Sequence, residues 1–175
     1  MDSRLIAIYL NDHLAGATGG LELARRAHGA NRGTEFEAPL ARLAVEIAED
    51  RDALVDVMAR LGVARDPVKV WAGWLAEKLG RLKLNGRIAG YSPLSRVIEL
   101  EALALGVEGK RALWRALAAE AAGDARLEGV DLAALARRAE RQRRLIERER
   151  LRAAALAFGT LRNHGGTMVH TRRPG

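Results

Sequence analysis

The chain contains no cysteine. That removes disulfides, thiolate metal ligands and cysteine nucleophiles together. Aromatic residues make up only 4% of its 175 residues, and alternation of apolar and polar positions is confined to Leu82–Ile88, so a sheet-based fold lacks its usual material. No apolar run approaches the ~18 residues of a membrane span. Met1-Asp2-Ser3-Arg4 leads directly into helix-forming sequence without a signal-peptide pattern, so the expectation is a cytoplasmic protein with no membrane partner. Lysine is scarce as well: it occurs only at Lys69, Lys78, Lys83 and Lys110, so the net charge of +7 rests almost wholly on arginine. Arginine beside abundant alanine, glycine and leucine is what GC-rich codon usage yields, which dilutes the charge as a functional signal.

What is present is helix punctuation. Asp2 or Ser3 caps a first helix that runs to about His28 and ends at Gly29 and the Asn31-Arg32-Gly33 turn. Thr34-Glu35-Phe36-Glu37 has the form of a capping box opening a second helix, with Pro39 slightly late and expected to kink it, and with Gly62 as its stop after Leu61. Asp66-Pro67 starts a short third helix ending near Leu84, where Asn85-Gly86 stops it or, alternatively, turns a hairpin. Ser92-Pro93 repeats the cap-plus-proline signal for a fourth helix reaching about Ala122, and Asp131 caps a fifth running to about Phe158. The spacing predicts one helical domain over residues 1–158 and a flexible polar tail over 159–175.

The layout is therefore all-α, with four long helices and a short crossover helix between the second and fourth. Two long pairs joined by one long crossover resemble the ferritin-like superfamily, and the residue usage resembles that of proteins from high-GC bacteria. The resemblance is one of architecture and covers residues 3–158. It implies a bundle core in which di-iron members place glutamates and Glu-x-x-His pairs. Those pairs are absent here: Glu46-Ile47-Ala48-Glu49 has no histidine, and after Glu147 and Glu149 the next histidine is His164.

Stepping ~100° per residue selects the side chains expected inside. On the first helix the apolar side is read as Leu5, Ile6, Tyr9, His13, Gly16, Gly20, Leu23, Ala24 and Ala27, and His13 lies at its centre. On the second, Phe36, Leu40, Leu43, Ile47, Leu54, Met58 and Leu61 form a stripe flanked by Asp50 and Arg51. The fourth is read with Leu94, Val97, Ile98, Ala104, Leu105 and Ala112 inward together with Glu101 and Glu108, and with Arg96, Glu99 and Lys110 outward. The fifth places Gln142 and Glu149 among Leu132, Leu135, Ala139, Ile146 and Ala153.

These positions predict a buried polar layer of His13, Asp50, Arg51, Glu101, Glu108, Gln142 and Glu149. Unpaired charge there costs several kcal/mol, so the layer must be internally paired or must hold an ion. His13 with Glu101, Glu108 and Glu149 is a donor set suited to iron or manganese. Arg51 favours the other solution, an ion-pair network needing no cofactor, because a guanidinium repels a metal and bridges two carboxylates. Gly16, Gly20, Gly106 and Gly109 are read as sites of close helix approach, or as the wall of a small cavity.

Serine nucleophiles have no foothold, since Ser3, Ser92 and Ser95 read as helix-start residues, and no glycine-rich loop follows a strand. The expectation is a non-enzymatic structural or interaction protein, self-associating or binding a protein partner. Two alternatives stand beside it. One is a metal- or small-ligand-binding bundle. The other is a non-specific nucleic-acid binder through the fifth helix, where eight arginines between Arg137 and Arg152 face only Glu140, Glu147 and Glu149. Trp71 and Trp74 are read as anchors of the crossover helix.

Overall fold

A computed structural model describes residues 3–66, 91–120 and 123–164; side chains are described as far as residue 159. Four long helices account for nearly all of this: α1 (Ser3–Ala30), α2 (Glu37–Arg60), α3 (Pro93–Glu120) and α4 (Leu132–His164), with a short 3-10 turn at Ala125–Leu127. No strand occurs among the described residues, and no described helix is long and apolar enough to cross a membrane. The short third helix of the sequence reading, its hairpin alternative, Trp71, Trp74 and residues 165–175 lie outside the described residues.

Each helix end follows from local chemistry. α2 begins two residues later than its sequence suggested, with Phe36 and not Thr34 at the N-cap. Thr34 Oγ1 accepts from the Phe36 amide and donates to the Asn31 carbonyl, while the Glu37 carboxylate reaches back to the Gly33 amide, so the expected capping box becomes a pre-helical turn. Pro39 consequently sits in the first turn, where no amide donates within the helix, and the expected kink loses its cause. At the other end Gly62 adopts φ +69°, its amide bonding Ala59 and the Val63 amide bonding Met58, the paired closure of a Schellman motif.

α3 opens with a reciprocal box in which Ser92 Oγ accepts from the Ser95 amide and Ser95 Oγ from the Ser92 amide. Asp131 accepts from the Ala134 amide, as its sequence position predicts. α4 does not stop at Phe158. It continues through Gly159 to His164, so residues 159–164, read from sequence as tail, are helical.

α1 packs on α2 and α3, and α4 packs on α3 and touches α2. Arg26 near the end of α1 meets Glu99 near the start of α3. Arg150 meets Glu101 and Arg111 meets Glu140 between α4 and α3. Arg152 meets Glu35 just before α2, and Arg138 meets Glu49 within it. Each neighbouring pair is therefore antiparallel, and α2 and α3 lie diagonally and run parallel. The chain leaves α2 at one end of the bundle, tied to α1 where Asn11 donates to the Ala64 carbonyl and accepts from the Asp66 amide. It enters α3 at the other end, where Asn31 bonds Tyr91.

The core runs the length of the bundle through Leu10, Leu14 and Leu21 of α1, Leu40, Leu43, Leu54 and Met58 of α2, Leu100, Leu103, Trp114 and Leu117 of α3, and Ile146 of α4. For α2 and α4 these are the faces that periodicity selects. On α1 the expected Leu23, Ala24 and Ala27 are buried and only the first half departs from the reading; on α3 Val97 is buried as expected but most of the inward face is rotated. Leu5 and Leu105, expected inside, are 64% and 73% exposed, whereas Leu10, Leu14, Leu100 and Leu103 are buried. α3 carries alanine, glycine and leucine around most of its circumference, so its polar residues orient it only weakly.

Candidate functional site: a cation-bridged polar layer beside a cavity

The rotation of α3 rebuilds the central layer. Lys110 points inward, and its Nζ donates to Asp50 Oδ2 at 2.5 Å and to Gln142 Oε1 at 2.6 Å. Gln142 Nε2 donates to the same Asp50 oxygen at 2.9 Å, closing a triangle across α2, α3 and α4. Arg138 covers the other Asp50 oxygen at 2.6 Å and reaches Glu49 at 2.8 Å. Asp50 is 2% exposed, so two cations and an amide replace the water that its carboxylate gave up. Burial holds the Lys110 ammonium below its ordinary pKa, with Asp50 opposing that shift.

The remaining expected members disperse. Arg51 bonds Thr18 at 3.5 Å and Asp52 at 3.0 Å and is not the bridging cation; Lys110 is. Glu101 is half-exposed and meets Arg150, and Glu108 is half-exposed and clasped by Arg111, which holds its carboxyl below the usual range. Glu149 is buried as expected, but it belongs to another cluster, bonding Arg148 and Arg152. His13, Glu101, Glu108 and Glu149 are thus not brought together, and no group of three or more His, Asp or Glu side chains is placed to hold a metal ion among the described residues.

A second buried network closes the end of the bundle where α1 turns into α2. Tyr91 donates to Glu99 Oε2 and accepts from Asn31 Nδ2, both at 2.8 Å. Asn31 also donates to the Ala27 carbonyl and accepts from Arg96, whose guanidinium lies 4.2 Å from the centroid of the Phe36 ring. Arg26 grips the remaining Glu99 oxygen at 2.9 Å. Burial, reinforced by the Glu99 charge, pushes the Tyr91 hydroxyl pKa well up. Asn31, Tyr91, Glu99, Arg138 and Lys110 were missed as site residues in the sequence. Only Lys110 carried a signal: a rare lysine where arginine is the chain's default.

Beside the central layer lies a cavity of about 520 Å³, walled by α1, α2 and α3. Its lining is largely apolar, with Leu23, Ile47, Leu54, Leu103, Leu113 and Trp114. His13 borders it with its ring edge-on to Tyr9 at 4.5 Å, and Asp12, Arg51 and Lys110 supply charge at its margin. Burial lowers the His13 pKa against the pull of Asp12, so the imidazole is neutral at pH 7. Trp114 also borders the cavity, and its fully buried indole N–H has no acceptor among the described residues.

Four helical glycines line this space: Gly16 and Gly20 on α1, Gly106 and Gly109 on α3. A methyl group built on any of them would meet no atom within 4 Å, so no close helix approach requires them; they border the cavity, with Gly16 and Gly106 at its exposed margin. These features define an all-helical bundle with an ion-paired centre and a glycine-walled cavity. No family model, curated protein or solved structure matches the chain.

Proposed function

We propose that this chain is a non-enzymatic, ferritin-like bundle that binds a small, largely apolar molecule between α1, α2 and α3, and in which the Asp50–Lys110–Gln142–Arg138 network stands where relatives of that architecture carry a di-iron centre. The glycines carry the reading. Each costs roughly 1 kcal/mol of helix propensity relative to alanine. No neighbouring atom accounts for any of the four, yet all face one cavity whose size falls in the ~300–1,000 Å³ range of ligand pockets. The convergent polar groups at one side, His13 and the Lys110 and Arg51 cations, suit a ligand with one polar or anionic end.

Native mass spectrometry of freshly purified protein, together with titration by an environment-sensitive apolar dye, tests the proposal. Gly16→Ala and Gly106→Ala should each raise stability by about 1 kcal/mol. Gly16→Leu with Gly106→Leu should abolish saturable dye binding in a protein that still melts cooperatively. Dye binding unchanged by the leucines, or no saturable binding by the native chain, overturns the ligand reading. Stoichiometric iron or manganese in protein from metal-supplemented cells overturns the structural role of the network.

A further inference from the structure

The eight arginines of α4 from Arg137 to Arg152 divide into two sets. Arg138, Arg143, Arg150 and Arg152 reach across to other elements, meeting Asp50 and Glu49, Glu108, Glu101 and Glu35 respectively. Among the described residues, Arg137, Arg141, Arg144 and Arg148 find no carboxylate on a neighbouring helix within 4.0 Å. Their spacing of four, three and four residues puts these on one narrow face, over about 16 Å at ~1.5 Å per residue.

The acids of α4 and its N-cap neutralise that face only in part: Arg137 meets the capping Asp131 at 3.5 Å, with 63% of its side chain still exposed. Glu140 already holds Arg143 at 3.0 Å and Arg111 at 3.5 Å, and lies 4.0 Å from Arg144. Glu149 touches Arg148 but is buried and clasped by Arg152 at 2.5 Å. Arg141 shares a shallow depression with Asp56 and Asp131 without an ion pair to either, and Arg60 takes Asp56 at 2.8 Å. The side chains of Arg137, Arg144 and Arg148 remain 63%, 68% and 65% exposed, free to reach a ligand.

We infer that this arginine face is a binding site for the phosphate backbone of duplex nucleic acid, read without regard to sequence. Guanidinium groups clasp phosphate oxygens in pairs, and a row of four matches the regular phosphates along a groove edge. The residues interleaved with the row are Arg, Ala, Glu, Gln, Leu145 and Ile146, and Ile146 is buried, so nothing on the face stacks on bases or reads their edges. A membrane surface is the less fitting polyanion. The exposed apolar side chains in line with the row, Leu151 and Phe158, begin only beyond it, leaving the arginine turns without an inserting residue. The cavity is lined by α1, α2 and α3 alone, so this site is independent of the ligand reading.

Fluorescence anisotropy with a random-sequence duplex of about 20 base pairs tests it, run from about 50 to 200 mM salt. Four phosphate contacts predict a slope near −3.6 in log K against log salt, a loss of roughly 100-fold across that range. Joint replacement of Arg137, Arg141, Arg144 and Arg148 by Gln should remove this binding while the thermal melt stays unchanged. The pair Arg141→Gln and Arg144→Gln should remove about half of the slope. A matched set of Arg25, Arg32, Arg42 and Arg115 to Gln lowers net charge equally and should leave most of the affinity. Absence of binding at the lowest salt, an equal loss in the matched set, or binding to phosphatidylserine vesicles but not to duplex overturns the inference.

Discussion

Replacing Lys110 by Met removes the cation at the centre of the bundle while keeping most of the side chain's volume. Asp50 then loses its Lys110 bond, and Gln142 Oε1 loses the donor that stands 2.6 Å away, leaving a buried acceptor unsatisfied among the described residues. Breaking a buried pair costs about 3–5 kcal/mol. Arg138 and Gln142 Nε2 still serve Asp50, and the Lys110 side chain retains 13% exposure, which brings the expected loss to about 2–3 kcal/mol. For a chain of this size that is a fall in melting temperature of roughly 5–10 °C. Urea unfolding should show a lower midpoint at unchanged slope. Converting the whole triangle with Asp50→Leu, Lys110→Met and Gln142→Leu should recover most of the loss, because no buried charge is then stranded beyond Arg138, which can turn to Glu49. A single variant losing less than about 1 kcal/mol, or a triple variant as unstable as the summed singles, would refute the network as described.

Two further perturbations probe the other buried groups. Because burial lowers the His13 pKa below its ordinary 6.5, the unfolded chain takes up that proton first as pH falls, and stability should decline from about pH 6.5 downward. His13→Gln should flatten that decline in chemical-denaturation midpoints measured between about pH 7.5 and 5; an identical pH profile for the variant would sink the assignment. Tyr91→Phe removes a hydroxyl that donates to buried Glu99 and accepts from buried Asn31, and should cost about 1–3 kcal/mol by the same assay, more than an exposed tyrosine would.

The sequence by itself determined the four described helices to within a few residues at their ends, and which faces of two of them turn inward. Capping chemistry is local, so Asp131, Ser92-Pro93 and Gly62 could be read from a few neighbouring residues. α2 and α4 have a polar side opposite an apolar one, so periodicity located Ile47, Leu54, Ile146, Gln142 and Glu149 correctly. Asp50 was legible for the same reason.

Only the tertiary structure decided the partners. The small and apolar residues around α3 leave its rotation to be set by what packs against it, and that rotation brought Lys110 and Glu99 in and put Glu101 out. Which arginine ties Asp50 depends on the antiparallel register of α4 against α2, across 88 residues of chain, and no local pattern encodes that distance. The glycines beside His13 posed the sharpest ambiguity in the sequence, because a small residue marks either close contact or open space. The facing helix settles it: at Gly16 and Gly106 there is nothing within reach, and the gap between them is the cavity.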